Sequence, residues 1–156
     1  MRLALYQPDI PQNMGALIRI AACFRVPVDV IEPCGFPFDE KRLRRTALDY
    51  GEACELVRHQ SWESYISAFR QGPNRLVLLT TASHVSHADF KFEATDTLML
   101  GRESHGVPSD VHQTADHCIR IPIAKDLRSL NVSVAGAIAL SEALRQLGEF
   151  TGKTEL

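Results

Sequence analysis

The stretch Ile119 to Leu144, IRIPIAKDLRSLNVSVAGAIALSEAL, decides how the rest of the chain is read. It opens as a strand, Cys118 to Ile123, interrupted at Pro122, and runs on as a loop, Ala124 to Ser129, that carries Lys125, Asp126 and Arg128. From Asn131 onward Val132, Val134, Ala135, Ala137, Ile138, Ala139, Leu140, Ala143 and Leu144 fall all round a helical wheel, leaving a narrow polar arc of Ser141, Glu142 and Arg145. A helix apolar on nearly every side has to be buried on nearly every side. One face can pack on the chain's own sheet. The other needs a second cover, most simply another copy of the protein, so the pattern predicts a homodimer.

Upstream of this stretch, strand and helix patterns alternate. Arg2 to Tyr6 reads as a first strand, and Pro8 and Pro11 lead into a helix from about Gln12. Met14, Leu17, Ile18 and Ala21 form its apolar stripe, while Gln12, Gly15 and Arg19 are expected on the opposite side, with an open spot over Gly15. Val26 to Ile31 is a second strand, and strand, helix, strand within about 30 residues is a parallel crossover unit. DEKRLRRTALDY, residues 39 to 50, has helical character. Ala53 to Arg58 is a third strand, and Ser61 to Gln71 a helix with Trp62, Tyr65, Ile66 and Phe69 inward. Arg75 to Thr81 and Thr97 to Leu100 are further strands. The predicted fold class is α/β, a mostly parallel sheet with helices on both faces.

The 156 residues fit a single domain, 1–156, able to build a core without staples. Hydrophobic residues at 45% and a formal net charge of −2 argue against a general nucleic-acid coat but permit a local basic patch. Cys23, Cys34, Cys54 and Cys118 form no C-x-x-C pair and read as buried free thiols of a reducing compartment. LALY is too short for a signal-peptide core, and no window reaches the roughly 18 apolar residues of a membrane span. A cytoplasmic protein without membrane contact is expected. His84 and His87 read as surface loop residues, and no metal is expected.

In an open parallel sheet, ligands sit beyond the carboxyl ends of the strands. The loop after Leu100, GRESHGVP, has phosphate-loop glycine spacing, but Val107 and Pro108 stand where Lys and Ser or Thr are needed, which excludes a nucleoside triphosphatase. No G-x-G-x-x-G follows the first strand. Two readings of GRESHG stay open: a tight turn needing two glycines with Glu103 capping the next helix, or a ligand loop.

PQNMGALIR near the start, LMLGRESHGVP in the middle and IRIPIAKDLRSLNVSVAGAIALSEAL at the end together resemble the SpoU branch of the SPOUT methyltransferases, with the three blocks in order from Pro11 to Leu144. The short length and DEKRLRRTALDY are similar to members that methylate the wobble nucleotide of tRNA. The resemblance implies a trefoil knot in the C-terminal third, S-adenosylmethionine as methyl donor and a homodimer with its site at the junction of two copies. It also implies transfer to the ribose 2′-oxygen of nucleotide 34, cytidine or modified uridine, with leucine tRNA the expected carrier. Donor-binding positions carried over are Leu79, Thr80, Gly101, Glu103, Ile121, Ser129, Leu130 and Asn131, and the polar active-site set is Asn13, Arg19, Glu103, Ser129 and Asn131. Glu103 would orient Arg19 or the Asn13 amide, and Asn131 would also serve as the N-cap of the last helix. Lys41, Arg42, Arg44 and Arg45 would contact tRNA phosphates, with Arg102 and Arg128 extending that surface. Ser141 departs from the aromatic residue that wobble-type relatives often carry. Methylation of another tRNA position or of ribosomal RNA, or a non-catalytic knotted RNA-binding module, are the alternatives.

Overall fold

The structure is a computed structural model that describes residues 1–38 and 54–150. Six strands, β1 (Arg2–Tyr6), β2 (Val28–Ile31), β3 (Leu56–His59), β4 (Arg75–Leu79), β5 (Asp96–Leu100) and β6 (His117–Ile119), form one sheet in the order β3-β2-β1-β5-β4-β6. Every pairing is parallel. Alternation along the strands sends side chains to two separate cores, because successive residues of a strand point to opposite faces. Leu3, Leu5, Val28, Val30, Leu98 and Leu100 join the core beneath helices α1 (Pro11–Cys23) and α4 (Val132–Leu147). Ala4, Tyr6, Ile31, Leu76, Leu78 and Met99 join the other, beneath α2 (Trp62–Phe69) and α3 (Ser109–Thr114). Helices therefore cover both faces, as expected.

Local chemistry explains where the elements begin. Pro11 opens α1, where its missing N–H costs nothing, and Ser61 caps α2 by accepting from the Ser64 N–H at 3.2 Å. Helix α1 buries Asn13, Met14, Gly15, Leu17, Ile18, Ala21 and Ala22, a wider arc than the single expected stripe, because it packs on the sheet and against α4 together. Gly15 is thus buried and leaves no open spot, while Arg19 is exposed. Helix α4 comes close to both neighbours through Gly136. A Cβ there would lie 2.7 Å from the Leu100 Cδ1 and the Leu17 Cδ2. Leu100, Leu140 and Leu144 are 1–2% exposed, each burial contributing about 1.5–3 kcal/mol.

The expectations for the last strand and for the cysteines need correction. The last strand spans His117–Ile119 and not Cys118 to Ile123, because Pro122 has no N–H to give a ladder and the following residues turn toward the ends of the other strands. None of the cysteines is fully buried: Cys23 is exposed and Cys34, Cys54 and Cys118 are partly so, all four being free thiols. Burial is still enough to push the Cys34 thiol up to about 11. The outward side of α4 carries Val134 and Ile138, 48% and 38% exposed, and only then Arg145, so the second apolar face is real but uncovered within one chain.

The register places four carboxyl ends at one height. Leu100 pairs with Leu5 on one side and Leu79 on the other, and Leu79 pairs with Ile119. The segment 80–95 that leaves β4 stays close to the chain leaving β6: Arg120 N–H donates to the Val85 carbonyl and His87 N–H to the Arg120 carbonyl, both at 2.8 Å. It also meets the end of α4, where Gln146 accepts from the Phe92 N–H and donates to the Phe90 carbonyl.

Candidate active site

A cavity of about 790 Å³ opens at these carboxyl ends, within the roughly 300–1,000 Å³ usual for small-molecule sites. The end of β4 supplies Leu79 and Thr80, and the end of β5 supplies Gly101 and Glu103. The chain after β6 supplies Ile121, Ser129, Leu130 and Asn131, and α1 supplies Asn13. Every donor-binding position named from the sequence lines this one cavity. Arg19 does not line it; it lies on the exposed side of α1. Lys41, Arg42, Arg44 and Arg45 lie outside the described residues.

The loop after β5 is held in a tight turn. Arg102 and Gly106 exchange both backbone hydrogen bonds at 2.9 Å, Gly106 adopts a φ of 68°, and a Cβ on Gly101 would lie 2.8 Å from the Gly106 carbonyl carbon. The two glycines are therefore required by the turn itself. Glu103 does not cap α3, whose N-cap is Pro108 without a side-chain bond. Its carboxylate instead accepts from the Asp9 N–H at 2.7 Å and from Asn13 Nδ2 at 3.1 Å.

From Glu103 a chain of polar contacts crosses the cavity wall. Asn13 Oδ1 accepts from Asn131 Nδ2 at 3.0 Å, and Asn131 Oδ1 accepts from the Ser133 and Val134 N–H groups at 2.9 and 3.3 Å. Asn131 is at once the N-cap of α4 and a partner of Asn13. Asn13 is 9% exposed, and a buried amide without partners would cost about 1–3 kcal/mol, so both its ends are committed. The result is a fixed line, Glu103 to Asn13 to Asn131.

Sequence reasoning missed Asp9. Its carboxylate accepts from Arg102 Nε and Nη2 at 3.1 and 2.8 Å and from the Ser104 N–H at 3.1 Å, with a very short bond from the Ser104 hydroxyl. The Ser104 hydroxyl first, and the Arg102 guanidinium next, hold the Asp9 carboxyl at about 2. Arg102 is accordingly spoken for by Asp9 and, at 3.4 Å, by Gln7, and is not a free cation for a phosphate. His105, His112 and Arg128 also line the cavity, the two histidines unnamed by any sequence signal. Among the described residues, no group of His, Cys, Asp and Glu is placed to hold a metal ion, and no helix is long and apolar enough to cross a membrane.

The arrangement suits a ligand with an apolar ring system and a positive centre: Leu79, Leu100, Ile121 and Leu130 offer apolar wall, loop backbone offers hydrogen bonds, and Glu103 offers negative charge. The SpoU rRNA Methylase profile matches residues 1–141. The chain belongs to the SpoU methylase family. Among relatives of this SpoU-family chain, a tRNA (cytidine(34)-2'-O)-methyltransferase of Ancylobacter novellus is 47% identical over 150 residues, covering 96% of this chain and 95% of that protein. The enzyme of the same description from Escherichia coli strain K12 is 39% identical over 150 residues, covering 95% and 94%. A solved structure concerned with the 2-OH methylation of C/U34 on tRNA is 36% identical with a TM-score of 0.87, covering 94% of this chain and 95% of that one. The SpoU methyltransferase AviRb from Streptomyces viridochromogenes, in complex with the cofactor AdoMet, is 25% identical with a TM-score of 0.82, covering 94% and 60%. The all-parallel sheet with helices is the fold of SpoU methyltransferases.

Proposed function

We propose that the chain is a tRNA methyltransferase that moves a methyl group from S-adenosylmethionine to the ribose 2′-oxygen of nucleotide 34. The observation that carries this reading is the Glu103–Asn13–Asn131 line on the wall of a cavity at the strand ends. Relatives of 39% and 47% identity, covering nearly the whole chain, are named for that reaction on cytidine 34. The residues present fit the donor. Glu103 and the turn glycines leave a closely walled pocket with a carboxylate in its lining, and when bound the donor would supply an electrophilic methyl carbon. Leu79, Thr80, Gly101, Ile121, Ser129 and Leu130 would hold it, by apolar contact and loop backbone.

The work of this chain is then alignment and electrostatics. A 2′-hydroxyl has to approach in line with the methyl carbon, and holding the two in register can supply several kcal/mol of the barrier. Glu103 accepts from Asn13, which fixes the Asn13 amide in one orientation, and Asn131 holds the other end. Ser129 lies beside Asn131 on the same wall. Arg19 is the remaining polar member, and a guanidinium, which keeps its proton in proteins, is a poor proton acceptor. Its role is to stabilise the developing alkoxide and clamp the adjoining phosphate, the proton leaving to phosphate or water.

Since Arg19 is exposed on α1 and does not line the cavity of its own chain, we place it in the site of a second copy. The exposed Val134 and Ile138 of α4, with Leu130 at its foot, form the apolar surface such a homodimer would cover. The contacts of segment 80–95 with Arg120 and Gln146 support a tail threaded through that segment, the trefoil knot. Lys41, Arg42, Arg44 and Arg45 are proposed as tRNA phosphate contacts on charge alone, in a cytoplasmic enzyme. The test is methyl transfer from labelled S-adenosylmethionine to unmodified tRNA and ribosomal RNA fragments. Label on tRNA is expected; label on ribosomal RNA alone, or on neither, refutes the reading.

A further inference from the structure

Asp9 lies two residues before the first sequence block and does not line the cavity, yet it grips three consecutive residues of the loop that carries Glu103. Its backbone N–H donates to Glu103 Oε2 at 2.7 Å. One carboxylate oxygen takes Arg102, the residue before Glu103, and the other takes the N–H and hydroxyl of Ser104, the residue after it. Without these contacts the tip of the turn has the Arg102 to Gly106 pair to close it, and the direction of the Glu103 side chain rests on the Asn13 amide, itself held only from the Asn131 side. Asp9 is itself held in place. The Gly35 N–H donates to the Pro8 carbonyl at 2.9 Å, and a Cβ on Gly35 would lie 3.0 Å from both the Cα and Oδ1 of Asp9.

We propose that Asp9 is a positioning residue for methyl transfer: it fixes the Glu103 carboxylate, and through it the Asn13 and Asn131 amides, in the geometry the reaction uses. This rests on the reading of the cavity as the methyl-transfer site. All of Asp9's side-chain partners are donors, so the group must be a carboxylate with both oxygens accepting. An amide of the same shape keeps one accepting oxygen and turns an NH2 group toward the donors on the other side. Asp9→Asn therefore changes the grip without changing the packing. Because Asp9 does not line the cavity, its loss acts through the Glu103 loop on alignment.

The experiment uses the full chain with tRNA and measures kcat, KM for tRNA, donor affinity by calorimetry and thermal melting. D9N is expected to lower kcat by about 100-fold, the cost of a misplacement of the order of 1 Å. KM for tRNA should stay within about threefold, since uniform binding of the RNA is retained, while donor affinity falls by less than kcat. A crystal of D9N should show the Glu103 carboxylate turned from Asn13. A D9N enzyme with wild-type kcat overturns the inference. If D9N does not fold, Ser104→Ala decides: it removes one donor of the grip, and is expected to lower kcat with native melting, whereas unchanged kcat overturns the proposal. A wild-type chain that transfers no methyl to RNA overturns the reading of the site together with this inference; an active wild type beside an unimpaired D9N overturns the inference alone.

Discussion

Asn131 Nδ2 donates to Asn13 Oδ1 at 3.0 Å, joining the start of the last helix to the start of the first across 118 positions of sequence. The Asn131 side chain serves two purposes through its two ends. Its oxygen caps α4, and its nitrogen orients Asn13. Asn131→Asp should separate them. Aspartate caps a helix about as well as asparagine, so the melting temperature should hold. Asn13 would then lie between two carboxylates with one NH2 group to offer, and no rotation of its amide satisfies both. Methyl transfer is expected to fall about 10–100-fold. Thermal melting and steady-state rates check both halves, and an unimpaired N131D enzyme would remove the amide chain from the mechanism.

Two glycines that both exclude a Cβ should respond differently to alanine. At Gly101 the obstructing atoms are backbone of Gly106, which cannot move without opening the turn. At Gly136 they are the ends of the Leu100 and Leu17 side chains, which can rotate. Gly101→Ala should therefore lose more stability, about 1–3 kcal/mol, and most of its donor binding. Gly136→Ala should lose less of both, as read by denaturant melts and calorimetry.

The acid limb of stability should report Asp9. Its carboxyl is depressed from 3.8 to about 2 by the Ser104 hydroxyl and then Arg102. A depressed carboxyl stabilises the folded chain fully above the unfolded value and loses that contribution as pH falls through the folded one. The loss should fall between about pH 4 and about pH 2. Melting curves across that window should show a shallower decline for D9N than for wild type; parallel declines would mean the ion pair contributes nothing.

Asp96 is 0% exposed and receives Arg75 through Nε and Nη2 at 2.7 and 2.9 Å and the Glu93 N–H at 2.8 Å. Removing the carboxylate leaves the Glu93 N–H and the Arg75 Nε without their acceptor at the foot of β4 and β5, while Arg75 keeps Glu93 and the Lys91 carbonyl. Asp96→Ala is expected to cost about 1–3 kcal/mol in urea denaturation. Since the site is at the other end of these strands, kcat of the remaining folded fraction should be little changed.

Arg19 in the site of a second copy makes a prediction no single-chain site can. Arg19→Ala and Glu103→Gln should each be inactive as homodimers. Mixed after subunit exchange, they should regain activity, because one site of each hybrid has both residues intact. Continued inactivity of verified hybrids would place Arg19 with its own chain's cavity.

Much of this was legible in the sequence because parallel strands buried on both faces read as apolar runs, and because a loop after such a strand has one place to go. Thr80, Gly101 and Asn131 follow from that logic and from the family blocks. Ile121 and Ile123 read as strand by alternation, but Pro122 between them cannot join a ladder, and Ile121 lines the cavity instead. Arg102 looked like a surface cation, because Asp9 is 93 positions away and no local pattern pairs them. Gly15 looked open because one helical wheel cannot show that α1 packs on two neighbours. Asp9 itself carried no signal: its importance lies in what it holds, which only three-dimensional proximity reveals.

The most direct measurement is mass spectrometry of the ribonuclease fragments of tRNA, and of the nucleosides each releases, after incubation with the purified chain and methyl-labelled S-adenosylmethionine. The account predicts one labelled product, a 2′-O-methylated nucleoside at position 34, formed by wild type and lost in Glu103→Gln. Label on a base, label at another ribose, or undiminished label with E103Q would contradict it.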